Sequence, residues 1–176
     1  MDKQLNHDST KPFQGIIYQF YIALEKCFEL QQGESIHIER YGDVTKSSQN
    51  DGTQIEVKDY ARKVTDLDHN VWKTLKNWLN DPNVNRYKNV LLLTTQEISQ
   101  TSQFIDWNNK SKDEKLQILK NISTTAKSSQ SAQTTQALLN FVLNDLQKER
   151  LLKILEKFLL LSSHMKDEEL YQKLIQ

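Results

Sequence analysis

"GDVTKSSQNDGTQIEVKDY", residues 42–60, is the stretch on which the fold turns. "GDVT" opens an extended run, "SSQNDG" is turn chemistry ending in Asp-Gly, and "TQIEVKDY" reads as the returning strand of a hairpin. In that strand Ile55 and Val57 share one face while Glu56 and Lys58 share the other. A hairpin closing around residues 47–52 brings Asp43 roughly opposite the segment from Glu56 to Lys58. A carboxylate and an ammonium two residues apart on one strand face have a plain explanation, an exposed surface ion pair worth under about 1 kcal/mol. The second acid across the hairpin makes a functional cluster the other explanation.

Working outward, "SIHIERY" (Ser35–Tyr41) also alternates, so the segment is a β-meander. Before it, Phe13, Ile16, Ile17, Phe20, Leu24, Cys27 and Phe28 recur at three- and four-residue spacing. This predicts a helix packed through one apolar stripe, with Cys27 buried on it, Gln19 on its flank and Gly33 after its end. After the meander, a second helix is expected from Thr65, with Leu67, Val71, Leu75, Trp78 and Leu79 inward and Asn80-Asp81-Pro82 as its stop. "YKNVLLLTT" (Tyr87–Thr95) is nearly continuous in apolar residues, as a strand covered on both faces requires. The order αβββαβ implies a mixed sheet flanked by helices, the second helix being the crossover.

The remaining boundaries follow from composition. Residues 1–12 read as a flexible polar arm and residues 13–122 as the core. Ser111 and Glu114 frame a capping box within that core. "STTAKSSQSAQTTQ" (residues 123–136) reads as a polar linker or loop, and residues 137–176 as a helical extension. In that extension the apolar positions from Leu138 to Leu159 describe one long helix or a helical pair. The last stretch, "DEELYQKLIQ", has no stop signal, so a longer natural protein with a further domain is expected.

Lys and Arg total 23 and Asp and Glu total 23, giving zero net charge over 176 residues. No global field therefore attracts nucleic acid, and any such contact falls to a local patch. A single cysteine excludes a disulfide framework and a cysteine-based zinc site. With no signal-peptide pattern and no apolar run of about 20 residues, the chain reads as cytoplasmic, with no membrane partner. Asp66, Asp68 and His69 invite a metal reading, because helical spacing puts Asp66 and His69 on a similar face, but a non-ligand role is the commoner outcome. Trp72, Trp78 and Trp107 read as core or interface rather than base-stacking platforms.

The meander carries chemistry of its own. Hydrolysis of a phosphodiester needs charge neutralisation and an activated water, and a hard divalent cation with oxygen ligands supplies both. Asp43, Glu56 and the backbone carbonyl of Val57 offer such oxygens, and Lys58 stands beside them to orient the nucleophile or steady negative charge. "GIIYQ" (Gly15–Gln19), "ERYGDV" (Glu39–Val44) and "IEVK" (Ile55–Lys58), in that order, resemble the PD-(D/E)xK, restriction-endonuclease-like superfamily. The likeness is closer to the double-stranded-DNA nuclease domains at the N-terminus of bacterial anti-phage effectors of the CD-NTase-associated type and to Mrr-like nucleases. It covers roughly residues 13–95.

The resemblance implies a restriction-endonuclease-like αβββαβ core followed by a helical extension. It implies a metal-dependent endodeoxyribonuclease using Mg²⁺, with Mn²⁺ as a substitute, on double-stranded DNA in anti-phage defence. It assigns Asp43 and Glu56 as metal ligands, Lys58 as the catalytic lysine and Gln19 as the polar residue of the helix motif, with Glu39 an additional acid near the metal. Arg62 and Lys63 are candidates for gripping DNA phosphates. A homo-oligomer, or assembly with another defence-system protein, is the expected context, because one site cuts one strand and paired sites cut both. Gly42 stands where many members carry a proline, and Gln19 where some carry an acid. The competing expectation is a catalytically inactive module that keeps this fold for nucleic-acid binding or protein assembly.

Overall fold

A computed structural model of the chain describes residues 10–48, 51–126 and 133–175. It is an α/β structure around one five-stranded mixed sheet whose strands lie side by side in chain order. Strands β1 (Ser35–Ile38), β2 (Val44–Ser47) and β3 (Gly52–Lys58) form the antiparallel meander. β4 (Asn89–Thr94) runs parallel to β3, and β5 (Phe158–Leu161) parallel to β4. A parallel neighbour requires a crossover, and α2 (His69–Asn80) supplies it between β3 and β4.

The two sheet faces are covered differently. One packs Ile55, Val57 and Leu93 against α1 (Thr10–Cys27) and α6 (Asp167–Leu174) through Tyr18, Ile22, Ala23 and Leu170. The other packs Val90, Leu92, Phe158 and Leu160 against α2, α3 (Lys112–Ala126), α4 (Gln133–Val142) and α5 (Lys148–Lys157). Trp72, Trp78 and Trp107 are all in this larger core, and Trp78 and Trp107 meet Phe158 edge-on at 5.1 and 5.2 Å between ring centroids. The meander, the crossover helix and the doubly covered strand at Asn89–Thr94 are as the sequence pattern predicts, and so is the Ser111–Glu114 capping box at the start of α3.

Several expectations are corrected. The helix at the N-terminal side begins at Thr10, so Lys11 and Pro12 belong to its first turn rather than to an arm; residues 1–9 lie outside the described part. Its buried face is Tyr18, Ile22 and Ala23, whereas Phe13, Ile16, Phe20, Leu24 and Phe28 are exposed, and so is Cys27. The second helix starts at His69, not Thr65. Val64 is held extended by a parallel bridge to Ile98, and Asp68 then caps the helix by accepting from the amides of Asn70 and Val71.

The polar stretch at residues 123–136 is helical at both its ends, with residues 127–132 outside the described part. Thr124 and Thr125 satisfy their hydroxyls on the carbonyls four residues back, at 3.0 and 3.1 Å, while Ile122 and Ala126 face the core. The leucine-rich run is not continuous helix either: α5 stops at Lys157, and Phe158–Leu161 becomes the edge strand β5. The segment read as an extension therefore supplies part of the sheet and much of the larger core.

Candidate active site in the meander

The register Val44↔Ile55 places Asp43 level with Glu56, just where β2 begins. Its carboxylate is fixed from the partner strand, since Asp43 Oδ2 accepts from the Val57 amide at 2.8 Å. Lys58 Nζ then closes the group, donating to Asp43 Oδ2 at 3.1 Å, to Glu56 Oε2 at 3.2 Å and to the Val57 carbonyl at 3.1 Å. The three side chains converge on one point, and every one is largely shielded. The side-chain exposures are 17% for Asp43, 8% for Glu56 and 18% for Lys58. That is unlike a solvated surface pair, in which two flexible ends meet in water.

The loop that delivers Asp43 is held by its backbone. Glu39 adopts a left-handed conformation with φ of 54° and donates its amide to the Asp43 carbonyl at 3.0 Å. Gly42 has φ of +126°, a region closed to proline, whose ring fixes φ near −65°. This accounts for glycine at the place where the resemblance leads one to look for proline. A Cβ on Gly42 would also meet Gln54 Nε2 at 2.5 Å, and Gln54 is itself committed to the Tyr41 carbonyl.

Electrostatics follow from the burial. The Glu56 carboxyl is pushed above the ordinary carboxylate range by desolvation first and by the nearby charge of Asp43 second; Lys58 opposes this and Glu39 adds a smaller push. Glu39 is thus within electrostatic reach of the site although exposed to solvent. For Lys58, burial acts to lower the value, but the two carboxylates outweigh it and raise it, so the side chain is a firm ammonium at neutral pH. The excess of acid over base here is what a cation relieves.

The donor set suits Mg²⁺. Among the described residues no group of three or more His, Cys, Asp or Glu side chains gathers around one point. Two carboxylates plus the Val57 carbonyl, all hard oxygens, match an ion that keeps several of its waters. Asp43 Oδ1 and Glu56 Oε1 take no hydrogen bond from any described residue and are available to it.

The other sequence candidates fare differently. Gln19 is half-buried on α1 with its Oε1 enclosed and unpartnered, and it makes no hydrogen bond to Asp43, Glu56 or Lys58. Arg62 and Lys63 are exposed just past β3, with Lys63 paired to the equally exposed Glu97 at 2.9 Å. Asp66 is committed to the Ser102 hydroxyl and the Gln103 amide, Asp68 caps α2, and His69 is exposed, so these three form no ligand set.

Sequence reasoning missed a cleft of about 510 Å³ between the β2–β3 hairpin and the loop before β4, lined by Tyr41, Ser47, Asp51, Gly52, Arg86 and Tyr87 among others. An adjoining cleft of about 270 Å³ shares Tyr41, Asn83 and Tyr87 with it and adds Arg40, Gly42, Gln54 and Asp81. It reaches the residue before Asp43 and the residue two before Glu56. The only sequence signal was the pair of Arg-Tyr dipeptides, at residues 40–41 and 86–87.

Comparison of the chain with protein-family models, with curated proteins and with solved structures finds no match in any of the three. Among the described residues, no helix is long and apolar enough to cross a membrane.

Proposed function

We propose that this chain is a Mg²⁺-dependent endodeoxyribonuclease domain of restriction-endonuclease-like fold that hydrolyses double-stranded DNA in the cytoplasm, as an effector of bacterial anti-phage defence. The observation that carries this reading is that Lys58 Nζ meets Asp43 at 3.1 Å and Glu56 at 3.2 Å on a shielded strand end. Such a cluster costs stability: it gathers two carboxylates at one place and raises one of them above its ordinary range. A purely structural role would be served better by apolar side chains.

Asp43, Glu56 and the Val57 carbonyl are the groups that would hold the cation. When bound, it neutralises phosphate charge and eases deprotonation of water. The protein's own groups do the rest. The Lys58 ammonium, protonated at neutral pH, does not take a proton from water; by exchanging one of its three present acceptors it would donate a hydrogen bond from Nζ to the attacking water or to a phosphate oxygen, where negative charge grows as the new phosphorus–oxygen bond forms and the old one breaks. The Val57 amide keeps Asp43 aimed while this happens. The clefts beside the site, with Arg40 and Arg86, lie where a phosphate backbone entering along β3 would pass.

The test is cleavage of plasmid DNA by purified protein in Mg²⁺ or Mn²⁺, with an RNA digestion in parallel. Asp43→Ala and Lys58→Ala should each lower the rate by at least about 100-fold while the circular dichroism spectrum stays that of the parent. Cleavage by Lys58→Ala at the parent rate would end the proposal.

A further inference from the structure

The exposed stripe of α1 has a property that periodicity alone does not require. Phe13, Ile16, Phe20, Leu24 and Cys27 lie at offsets of −7, −4, 0, +4 and +7 from Phe20, so the row is symmetric in position about its own middle. On a helix these offsets fall on one face. Phe28 follows at the end of the row. No charged side chain interrupts it. The face is also open: Phe13 is 62% exposed, Phe20 53% and Phe28 74%, with Ile16 and Leu24 close behind. The opposite face of the same helix carries Tyr18 and Ile22 and is fully occupied by the sheet and α6.

We propose that α1 is a homodimer interface, in which two copies pack their α1 helices antiparallel about a two-fold axis at Phe20. An isologous contact demands that one patch complement itself, and a row symmetric about its centre does so. Phe20 meets Phe20 of the second copy, Ile16 meets Leu24, and Phe13 meets Cys27, so each of these five apolar groups finds an apolar group. A parallel arrangement would instead set each residue on itself, with Cys27 against Cys27. The stripe presents about 500 Å² of apolar surface per copy, at the large end of what a monomer displays. Two copies bury about 1,000 Å², the lower bound for a specific interface. The pairing stands whether or not the site in the meander cuts DNA.

The antiparallel geometry separates the two native thiols. Cys27 lies seven residues from the axis position, about 10 Å along the helix, so the two thiols stand about 20 Å apart, beyond disulfide reach. A cysteine at position 20 would sit on the axis. Sedimentation of the full chain at about 100 µM should show a dimer, and at about 1 µM a monomer. Phe20→Asp, which alters an exposed position, should weaken the association by at least about 100-fold. Under mild oxidation, Phe20→Cys in a Cys27→Ser background should cross-link to a covalent dimer while the parent chain does not. A parent chain that is monomeric at about 100 µM, a dimer that survives Phe20→Asp, or rapid cross-linking of the parent through Cys27 would each overturn the proposal.

Discussion

The two sides of the sheet meet opposite demands. β4 and β5 bury Val90, Leu92, Leu93, Phe158 and Leu160 with one polar residue, Thr94, whereas β2 and β3 bury Thr45, Gln54 and Glu56 beside Val44, Ile55 and Val57. One half gains free energy from removing apolar surface from water. The other spends some of it by holding polar groups, one of them a carboxyl pushed out of its normal range, in a shielded place. The mainly apolar burial and the polar cluster thereby fall on different strands of one sheet, and β3 is where they join, with Ile55 and Val57 on one of its faces and Glu56 and Lys58 on the other.

This contrast can be broken from either side. The largest expected effect is in the apolar half: Trp78→Ala, at a fully buried ring packed on Phe158, should cost about 3–5 kcal/mol in urea unfolding while leaving the rate per folded molecule unchanged. Loss of cleavage in the fraction that remains folded would show that the halves are not separable. A smaller effect is expected at the seam. Gly42→Ala forces a Cβ into a left-handed backbone and onto Gln54, and should cost about 1–3 kcal/mol and lower the cleavage rate by moving Asp43. An unchanged rate there would detach Asp43 from the chemistry.

The smallest effect has the opposite sign. The folded pKa of Glu56 is raised above its unfolded value, so the folded state binds more protons over the interval between them, and stability falls as pH rises through that interval. The attraction of Lys58 is already included in that direction. Glu56→Gln, measured in the presence of a chelator, should therefore melt higher than the parent at pH 7, with the difference vanishing as pH falls to about 4, and should lack cleavage activity. A lower melting temperature at neutral pH would mean that the carboxylate supports the fold.

How far the sequence revealed this molecule depended on whether local pattern had one reading or two. The meander was legible because alternation of Ile36 with His37, and of Ile55 with Glu56, fits only a strand with distinct faces, and the Asp-Gly turn set the pairing. The convergence of Asp43 on Glu56 and Lys58 followed from that pairing. α1 was legible as a helix but not in its orientation, because Tyr18, Ile22 and Ala23 make a second apolar row, and spacing cannot choose between two such rows. "FLLL" was read as helix because a short apolar run has no period of its own; only the open edge of β4 makes it a strand. The clefts with Arg40 and Arg86 were invisible because they join residues more than 40 positions apart.

β5 enters the sheet from residues 158–161, near the end of the 176-residue chain, and pairs with a strand that ends at Thr94. During synthesis, therefore, β4 emerges and must wait for more than 60 further residues before its second edge is satisfied. A hydrophobic strand with an open edge is a template for pairing with a neighbour. The nascent chain is thus most exposed to association with other nascent chains after its polar cluster has been made and before its sheet is closed.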